Sequence, residues 1–171
     1  MPPWAPMGLL ITAAGAEMAA ELADVAAATF PLACPASATP HDIALHIAAN
    51  LSAECFSAYT GDPARRVLAA RDDGRIIGYA MVITPPGEPA AELSKMYVLP
   101  SHHGTGTAAA LMAAAIGWAR EAGFPAVWLG VNQNNVRAQR FYRRHGFEVT
   151  GTRTFRLGGG LEHDFVMTLR L

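Results

Sequence analysis

The first 60 residues of this 171-residue chain contain no lysine or arginine. A secretory signal begins with a basic segment and a membrane span needs about 20 consecutive apolar residues, and the sequence shows neither pattern. Only two cysteines are present, Cys34 and Cys55, with no CxxC spacing and no paired histidine spacing typical of a metal site. The sequence therefore predicts reduced, buried thiols in a cytoplasmic protein, with no membrane partner and no metal site.

Charge is divided unevenly along the chain, although the formal net charge is only −1. Charged residues make up 16% of the sequence and hydrophobic ones 51%, which is typical of one globular domain at this length. We expect residues 1–7 to form a loose tail and residues 8–171 the domain. Six arginines lie between Arg137 and Arg156, a stretch too short and too poor in aromatics to predict nucleic-acid binding. The five carboxylates of the first 60 residues predict attraction of a cationic substrate.

A glycine-rich turn, His103-Gly104-Thr105-Gly106-Thr107-Ala108, joins a predicted strand to a predicted helix. The strand runs from Glu92 to Val98, and apolar residues at helical spacing predict the helix over 107–122. The first N–H groups of a helix have no partner within it, and glycines leave room for a ligand beside them. The turn therefore predicts a phosphate site or, alternatively, a connection without a ligand. No Gly-Lys-Ser/Thr follows it, which argues against a P-loop.

One strand further along lies a second segment, Asn135-Val136-Arg137-Ala138-Gln139-Arg140-Phe141-Tyr142-Arg143-Arg144-His145-Gly146-Phe147. It follows an apolar run at 125–131, which predicts a strand buried on both faces. Asn135 occupies the position of a helix N-cap. Phe141 falls on a predicted buried stripe, whereas Tyr142 points about 100° away from it, towards a cleft.

Together the two segments resemble the GNAT (Gcn5-related) acetyltransferases. The first motif of that family is Gln/Arg-x-x-Gly-x-Gly/Ala, and its second is Asn-x-x-Ala-x-x-Phe-Tyr-x-x-x-Gly-Phe. The chain matches the second motif at every named position. It departs from the first only at His103, which stands for Gln or Arg. Since main-chain N–H groups are expected to hold the diphosphate of coenzyme A, this departure bears on affinity more than on function.

The resemblance implies that acetyl-coenzyme A is the co-substrate and that no metal takes part. It assigns cofactor binding to the strand end, the glycine turn and the second segment: Met96, Tyr97, Val98, His103, Gly104, Thr105, Gly106, Thr107, Ala108, Asn135 and Arg144. Asn135 is expected to contact the pantetheine or phosphate portion. Arg143 or Arg144 is expected to reach a phosphate from the helix.

Two residues are expected to carry the chemistry. Tyr142 matches the tyrosine that the family uses as general acid towards the leaving thiolate, and a phenol with a pKa near 10 stays protonated at neutral pH. Glu92 begins the strand before the glycine turn, where acetyltransferases of this kind often carry a carboxylate. It is predicted to take a proton from the substrate amine, directly or through a water. The alternatives are an ordinary helix-edge tyrosine and a solvated glutamate.

The predicted order of elements matches the GNAT fold, a single-domain α/β (α+β) architecture with a central mixed, mostly antiparallel sheet flanked by helices. A strand at 9–12 precedes helices at 16–30 and 39–50 and a third helix that begins at Ser52. The Asp73-Gly74 turn predicts one hairpin, and residues 147–157 and 161–171 are expected to form another.

Shorter landmarks resemble a bacterial subgroup that includes polyamine N-acetyltransferases. They are Thr29-Phe30, Asp42-Ile43, Asp62-Pro63 and the ending over 151–167. The subgroup implies transfer of the acetyl group to a primary amine of a small cationic acceptor, such as a polyamine. Two alternatives stay open: a ribosomal-protein-type N-terminal acetyltransferase, and a coenzyme A-binding sensor domain without catalysis. A homodimer is neither required nor excluded by the sequence.

Overall fold

A seven-stranded sheet forms the centre of the structure, a computed structural model in which residues 8–171 are described. Its strands are β1 (Leu10–Ala13), β2 (Arg65–Asp72), β3 (Arg75–Ile83), β4 (Ala91–Val98), β5 (Ala126–Asn132), β6 (Glu148–Leu157) and β7 (Gly160–Arg170). The helices are α1 (Ala19–Ala33), α2 (Pro40–Asn50), α3 (Ala53–Gly61), α4 (Thr107–Glu121) and α5 (Val136–Arg144), with short 3-10 turns at Ala16–Met18 and Pro100–His102. The predicted tail, residues 1–7, lies outside the described residues.

The strands lie in the order β1-β2-β3-β4-β5-β7-β6. All neighbours run antiparallel except β4 and β5, which are parallel. A parallel pair needs a long crossover connection, and α4 supplies it. The mixed, mostly antiparallel sheet with flanking helices confirms the predicted fold class.

Both predicted hairpins are present. Asp73 and Gly74 have φ values of 50° and 78°, so both occupy the left-handed region that a tight two-residue hairpin turn requires. The second turn connects β6 to β7, where Leu157 pairs with Gly160. The turn residue Gly158 also has positive φ, and a side chain there would overlap the carboxylate of Asp42 in α2. The second hairpin therefore packs closely against α2.

The core has two parts, one on each face of the sheet. On one face, α4 packs its buried stripe against β3, β4 and β5, with Leu111 and Met112 fully buried. On the other face, α1 and α3 cover β2 and β3, with Leu22 and Phe56 fully buried. The helices thus hold the sheet from both sides, and β4 and β5 lie in its middle.

Three local predictions were wrong. The first long helix begins at Ala19 and continues through Pro31 to Ala33, since a proline near the end of a helix removes only one late hydrogen bond. Strand β5 alternates between buried and half-buried residues, because only one of its faces meets the α4 layer. Cys34 and Cys55 are free but half-buried rather than buried.

Candidate active site

Strands β4 and β5 separate soon after they meet. They pair only through Ala91 with Val127 and Glu92 with Trp128. Beyond Glu92, the edge of β4 that faces β5 has no strand partner, and cavities of about 480 and 560 Å³ open at this split. We call the first the Glu92 cavity and the second the glycine-turn cavity, after residues that line each. The separation leaves main-chain groups of β4 free to bind an extended ligand.

The two cavities share one stretch of wall. The residues that line both are Ala33, Met96, Tyr97, Asn135, Ala138 and Tyr142. Tyr142 therefore lies where the cavities meet, between the predicted cofactor residues on one side and Glu92 on the other. If each cavity held one extended molecule, the ends of the two molecules would meet at this junction.

The glycine-turn cavity is built around the start of α4. Gly104 and Gly106 have φ values of 76° and 85°, and a Cβ at either position would meet nothing within 4 Å. No side chain caps α4, whereas Thr39, Ser52 and Asn135 cap α2, α3 and α5. The N–H groups of its first turn thus face open space, where the helix dipole favours an anion. The geometry fits the diphosphate that the sequence predicts here.

Basic side chains surround the same cavity. His103 lies on the wall with its Nε2 2.9 Å from the Val98 carbonyl oxygen and its Nδ1 3.4 Å from Arg137 Nη2. The Nε2–H tautomer can donate to the Val98 carbonyl and accept from Arg137 at Nδ1, so His103 connects Arg137 to the end of β4. Arg144 also lines the cavity, whereas Arg143 does not.

One predicted cofactor residue turns away from the cavity. The Thr105 hydroxyl donates to the carbonyl of His102 and contacts the hydroxyl of Thr107, and Thr105 is absent from the cavity wall. The side chain therefore shapes the turn from inside. Arg137, which the sequence reasoning passed over, lies on the wall, and its position about two turns before Arg144 on the same face of a basic helix was the available signal.

Helix α5 is anchored by its polar residues. The Asn135 side chain accepts a hydrogen bond from the Ala138 N–H at 3.1 Å, which confirms it as the N-cap. The buried residue of the helix is Gln139, not Phe141 as the stripe predicted, because Gln139 donates to the Asn132 and Gln133 carbonyls. These bonds tie the start of α5 to the end of β5.

Tyr142 is held by aromatic neighbours and presents its hydroxyl to the junction. Its ring lies edge-on to Phe141 and Phe147, with centroid distances of 5.6 and 6.0 Å. The hydroxyl has no hydrogen-bond partner among residues 8–171. Burial raises the pKa of Tyr142 to about 12, so the phenol keeps its proton at neutral pH.

A bulge in β4 sets which side chains reach the Glu92 cavity. Lys95 pairs with Met81 and Leu93 with Val82, which leaves Ser94 without a partner on β3. Leu93 consequently faces the α4 layer, while Glu92 and Lys95 both face the α1–α3 side of the sheet. Without the extra residue, Glu92 and Lys95 would point to opposite faces.

Two of the charged groups that line the Glu92 cavity are paired with each other. Arg153 of β6 donates from Nε to the Asp164 carboxylate of β7 at 3.2 Å, and Asp164 is only 9% exposed. Glu162 accepts hydrogen bonds from the Ser37 hydroxyl and the Asn132 amide. These three groups therefore already have partners within the protein.

Glu92 and Lys95 differ from the other charged groups of this cavity. Within the described part of the chain, neither the Glu92 carboxylate nor the Lys95 ammonium has a hydrogen-bond or ion-pair partner. Burial, and then the charge of Arg65, lower the pKa of Lys95. The sequence reasoning missed Lys95. The available signal was a count of residue types, since Lys95 is the single lysine of the chain.

The predicted attraction of a cation by the acidic N-terminal third has no counterpart at the cavities. The carboxylates of that third are Glu17, Glu21, Asp24, Asp42 and Glu54, and none lines either cavity. Glu21, for example, accepts the Ile76 N–H at 2.7 Å on the far side of the fold. The carboxylates near the junction come instead from β4 and β7.

The outer wall of the Glu92 cavity joins distant parts of the chain. The His46 ring of α2 stacks on Phe30 at 4.5 Å and meets Phe155 of β6 edge-on at 6.0 Å. Burial, and then the charge of Lys95, lower the pKa of His46, which favours the neutral imidazole. With the contact between Gly158 and Asp42, these rings close one side of the cavity.

Among residues 8–171, no group of three metal-binding side chains comes together, and no helix has the length and apolar character that crossing a membrane would need.

Comparison with known proteins agrees with this geometry. Residues 26–147 match the model of the acetyltransferase (GNAT) family. An uncharacterised N-acetyltransferase of Mycobacterium tuberculosis is 56% identical over 88% of this chain and 96% of its own length. Streptothricin acetyltransferase of Streptomyces lavendulae is 34% identical over 51% of this chain and 46% of its own length. The PaiA N-acetyltransferase of Thermoplasma acidophilum, solved with coenzyme A, shares the fold with a TM-score of 0.83 at 21% identity, over 96% of this chain and 100% of that one. The chain therefore belongs to the GNAT acetyltransferase family, and it is an acetyl-coenzyme A-dependent N-acetyltransferase.

Proposed function

We propose that the protein acetylates the primary amine of a small cationic molecule that binds in the Glu92 cavity. The observation that carries the proposal is the meeting of two cavities at Tyr142. One cavity has the features of an anion site at a helix start, and the other is lined by carboxylates. A donor and an acceptor held in this way meet at the phenol.

The glycine-turn cavity is the proposed site of the co-substrate, which supplies an activated acetyl thioester. The free N–H groups of Thr107 and Ala108, with the open space at Gly104 and Gly106, would hold the diphosphate. The unpaired edge of β4 over 96–98 would hydrogen-bond the pantetheine arm, and Arg137 and Arg144 supply positive charge nearby.

Glu92 is the proposed proton acceptor for the incoming ammonium. It lines the acceptor side of the junction, it is half-buried, and within residues 8–171 no other group occupies its carboxylate. An amine must lose a proton before its lone pair attacks a carbonyl carbon. Glu92 is placed to take that proton directly or through a water.

Tyr142 is the proposed proton donor at the sulfur of the departing thiol. Because burial raises its pKa to about 12, Tyr142 stays a hydrogen-bond donor throughout the usual assay range. The same high pKa means that the proton moves only as negative charge builds on the sulfur, not in advance. The phenol thus stabilises the leaving group where charge develops.

The shape of the acceptor side favours a small molecule over a protein N-terminus. Ser37 with Glu162, and His46 with Phe155, connect the α1–α2 region to the second hairpin across the cavity wall. These contacts narrow the acceptor side, which favours a small molecule over a peptide chain. Polyamines are one acceptor class to test, and the name of the streptothricin acetyltransferase relative suggests that antibiotic as another.

A thiol-release assay with a panel of acceptors tests the proposal. The panel holds spermidine, putrescine, small amino compounds, streptothricin and an alanine-initiated peptide, each at fixed acetyl-coenzyme A. We expect turnover of at least one small amine at a kcat/KM that exceeds the peptide's by tenfold or more. Preference for the peptide would make the protein an N-terminal acetyltransferase. Binding of acetyl-coenzyme A with no turnover of any acceptor would favour a sensor domain.

A further inference from the structure

Lys95 is the single lysine among 13 cationic residues. The other 12 cationic side chains are arginines, and the one lysine lines the Glu92 cavity. An ammonium is a compact charge with three donors and a flexible stem, which suits a single carboxylate or phosphate oxygen.

Within residues 8–171, Lys95 has no carboxylate in ion-pair contact, although the charge of nearby Glu92 partly opposes the lowering of its pKa by burial and Arg65. Its Nζ lies 5.7 Å from the centre of the Tyr59 ring, and the Arg65 guanidinium lies 5.0 Å from the same ring. Arg65 is paired with Asp62 at 3.2 Å, whereas Lys95 has no carboxylate within ion-pair distance among residues 8–171. Two cations therefore lie near one aromatic ring, and of the two only Arg65 has a carboxylate within ion-pair distance among the described residues.

The remaining charges of the cavity do not supply that counterion. Asp164 is bound by Arg153, and Glu162 accepts two hydrogen bonds on the other wall. Glu92 shares a face with Lys95 because of the bulge at Ser94, but the two do not form an ion pair. The cavity thus offers a free carboxylate and a free ammonium side by side.

We propose that Lys95 is a specificity-determining residue that selects acceptors carrying an acidic group, a carboxylate or a phosphate, beside the amine that is acetylated. This inference rests on the proposed function, because it uses Glu92 as the group that meets the cationic amine, and it replaces the small cation proposed as acceptor with a molecule whose amine lies beside an acidic group. A zwitterion of this kind matches both free charges of the cavity. A polyamine would match Glu92 and place a second positive charge near Lys95 and Arg65.

Matched pairs of acceptors test this directly. Glycine, β-alanine, γ-aminobutyrate and lysine are compared with their carboxamides, so that each pair keeps the primary amine and loses the acidic charge, and each rate is corrected for the free-amine fraction of that acceptor. Aminoethyl phosphate is compared with ethanolamine in the same way, which distinguishes phosphate from carboxylate. For the best pair we expect the acidic member to have a kcat/KM about 10- to 100-fold higher, the range of a hydrogen bond between charged groups.

Two variants and one control show whether Lys95 causes the preference. In Lys95→Met the ratio within the best pair should fall towards one, and in Lys95→Glu it should invert in favour of the carboxamide and of spermidine. Arg120→Met removes an exposed cation of α4 that lines neither cavity, and it should keep the wild-type ratio. If Lys95→Met slows both members of the pair equally, or if wild-type protein prefers spermidine over every acidic acceptor, the proposal is wrong.

A binding measurement decides the case even if no acceptor is turned over. Protein labelled with ¹⁵N at lysine Nζ gives one side-chain resonance, because the chain has one lysine. Burial and Arg65 lower the pKa of Lys95, and an acidic group bound beside it should raise that pKa towards its ordinary value. γ-Aminobutyrate or aminoethyl phosphate should produce this shift, while butylamine should not. Equal responses to acid and amine would overturn the role of Lys95 and leave the acetyl transfer itself untouched.

Discussion

Gly130 of β5 lies directly beneath the guanidinium group of Arg153. A Cβ atom at position 130 would overlap the guanidinium. Arg153 is held in this place by the Asp164 carboxylate, and its guanidinium carbon lies 5.4 Å from the centre of the Trp128 ring. The missing side chain of Gly130 therefore lets an arginine from the neighbouring hairpin lie flat across β5 and form part of the wall of the Glu92 cavity.

Gly130→Ala should weaken acceptor binding without unfolding the protein. The added methyl group meets only the end of a flexible side chain, so Arg153 moves while the backbone stays, and the free energy of unfolding should change by less than about 1 kcal/mol. We expect KM for the acceptor to rise about 3- to 10-fold and the Kd for acetyl-coenzyme A to stay constant. Gly151→Ala is the matched control, since its Cβ would only meet Val166 at 3.9 Å. Equal KM values for the two variants would contradict the role of Arg153 in the wall.

Tyr142→Phe tests the proton donor. The ring and its contacts with Phe141 and Phe147 remain, and the lost hydroxyl has no partner among the described residues, so stability should hardly change. We expect kcat to fall by about 10²–10⁴ while the Kd for acetyl-coenzyme A stays within about twofold. The loss should be smaller with acyl donors whose thiol leaves more readily. Because burial raises the pKa of Tyr142 to about 12, the wild-type rate should show no loss from ionisation of this group below about pH 11. If Tyr142→Phe keeps the full kcat while the chemical step is rate-limiting, then water, not Tyr142, protonates the leaving thiolate.

Gly106→Ala tests the diphosphate site, with Gly123→Ala as its control. Both glycines have φ of 85° with nothing within 4 Å of an added Cβ, so the two substitutions introduce the same backbone strain. Only Gly106 stands at the N-terminus of α4, and Gly123 follows the C-terminal end of that helix. We expect calorimetry to show acetyl-coenzyme A binding weakened about tenfold or more in Gly106→Ala and nearly unchanged in Gly123→Ala. If both variants are folded and bind acetyl-coenzyme A with similar affinity, the diphosphate does not bind at this turn.

Glu92→Gln tests the proton acceptor through pH. The amide keeps the size of the side chain and cannot take a proton, so kcat/KM for the acceptor should fall by about 10²–10⁴ near neutral pH. The deficit should shrink as pH rises towards the pKa of the acceptor amine, because an increasing fraction then binds already deprotonated. Glu88→Gln, at an exposed position in the loop before β4, should leave the pH dependence of kcat/KM the same as in the wild type. A deficit that is constant with pH would mean that Glu92 positions the acceptor rather than taking its proton.

Much of the fold was predictable because its signals are local. The Asp73-Gly74 pair predicts its hairpin through positive φ alone, and Asn135 predicts the start of α5 because an N-cap needs only the next helical turn. The family motifs are likewise contiguous, so the sequence predicts the residues that line the glycine-turn cavity. Thr105 is the exception there, since the direction of one side chain inside a turn depends on which neighbours accept its hydrogen bond.

The acceptor side was decided by tertiary structure. Whether β5 is buried on both faces depends on what covers its second face. An apolar run has the same sequence pattern whether or not a second layer covers that face, so the pattern alone does not distinguish the two cases. The acidic N-terminal third predicts attraction of a cationic substrate when only the sequence is considered, yet none of its five carboxylates lines either cavity. Only the bulge at Ser94 brings Lys95 to the face of Glu92, and a bulge is a property of two strands together.

The sequence by itself therefore determined the family and the co-substrate through contiguous motifs. It also determined the residues at the start of α4 and α5, because a helix start depends on backbone geometry within one turn. The tertiary structure decided which charges line the Glu92 cavity. Lys95 of β4 is distant in the chain from the paired Arg153 and Asp164 of the second hairpin, and the cavity brings them together through strand register and the space left by Gly130. The interaction energy of two charges depends on the distance between them in the folded protein, and the order of residues in the sequence does not give that distance.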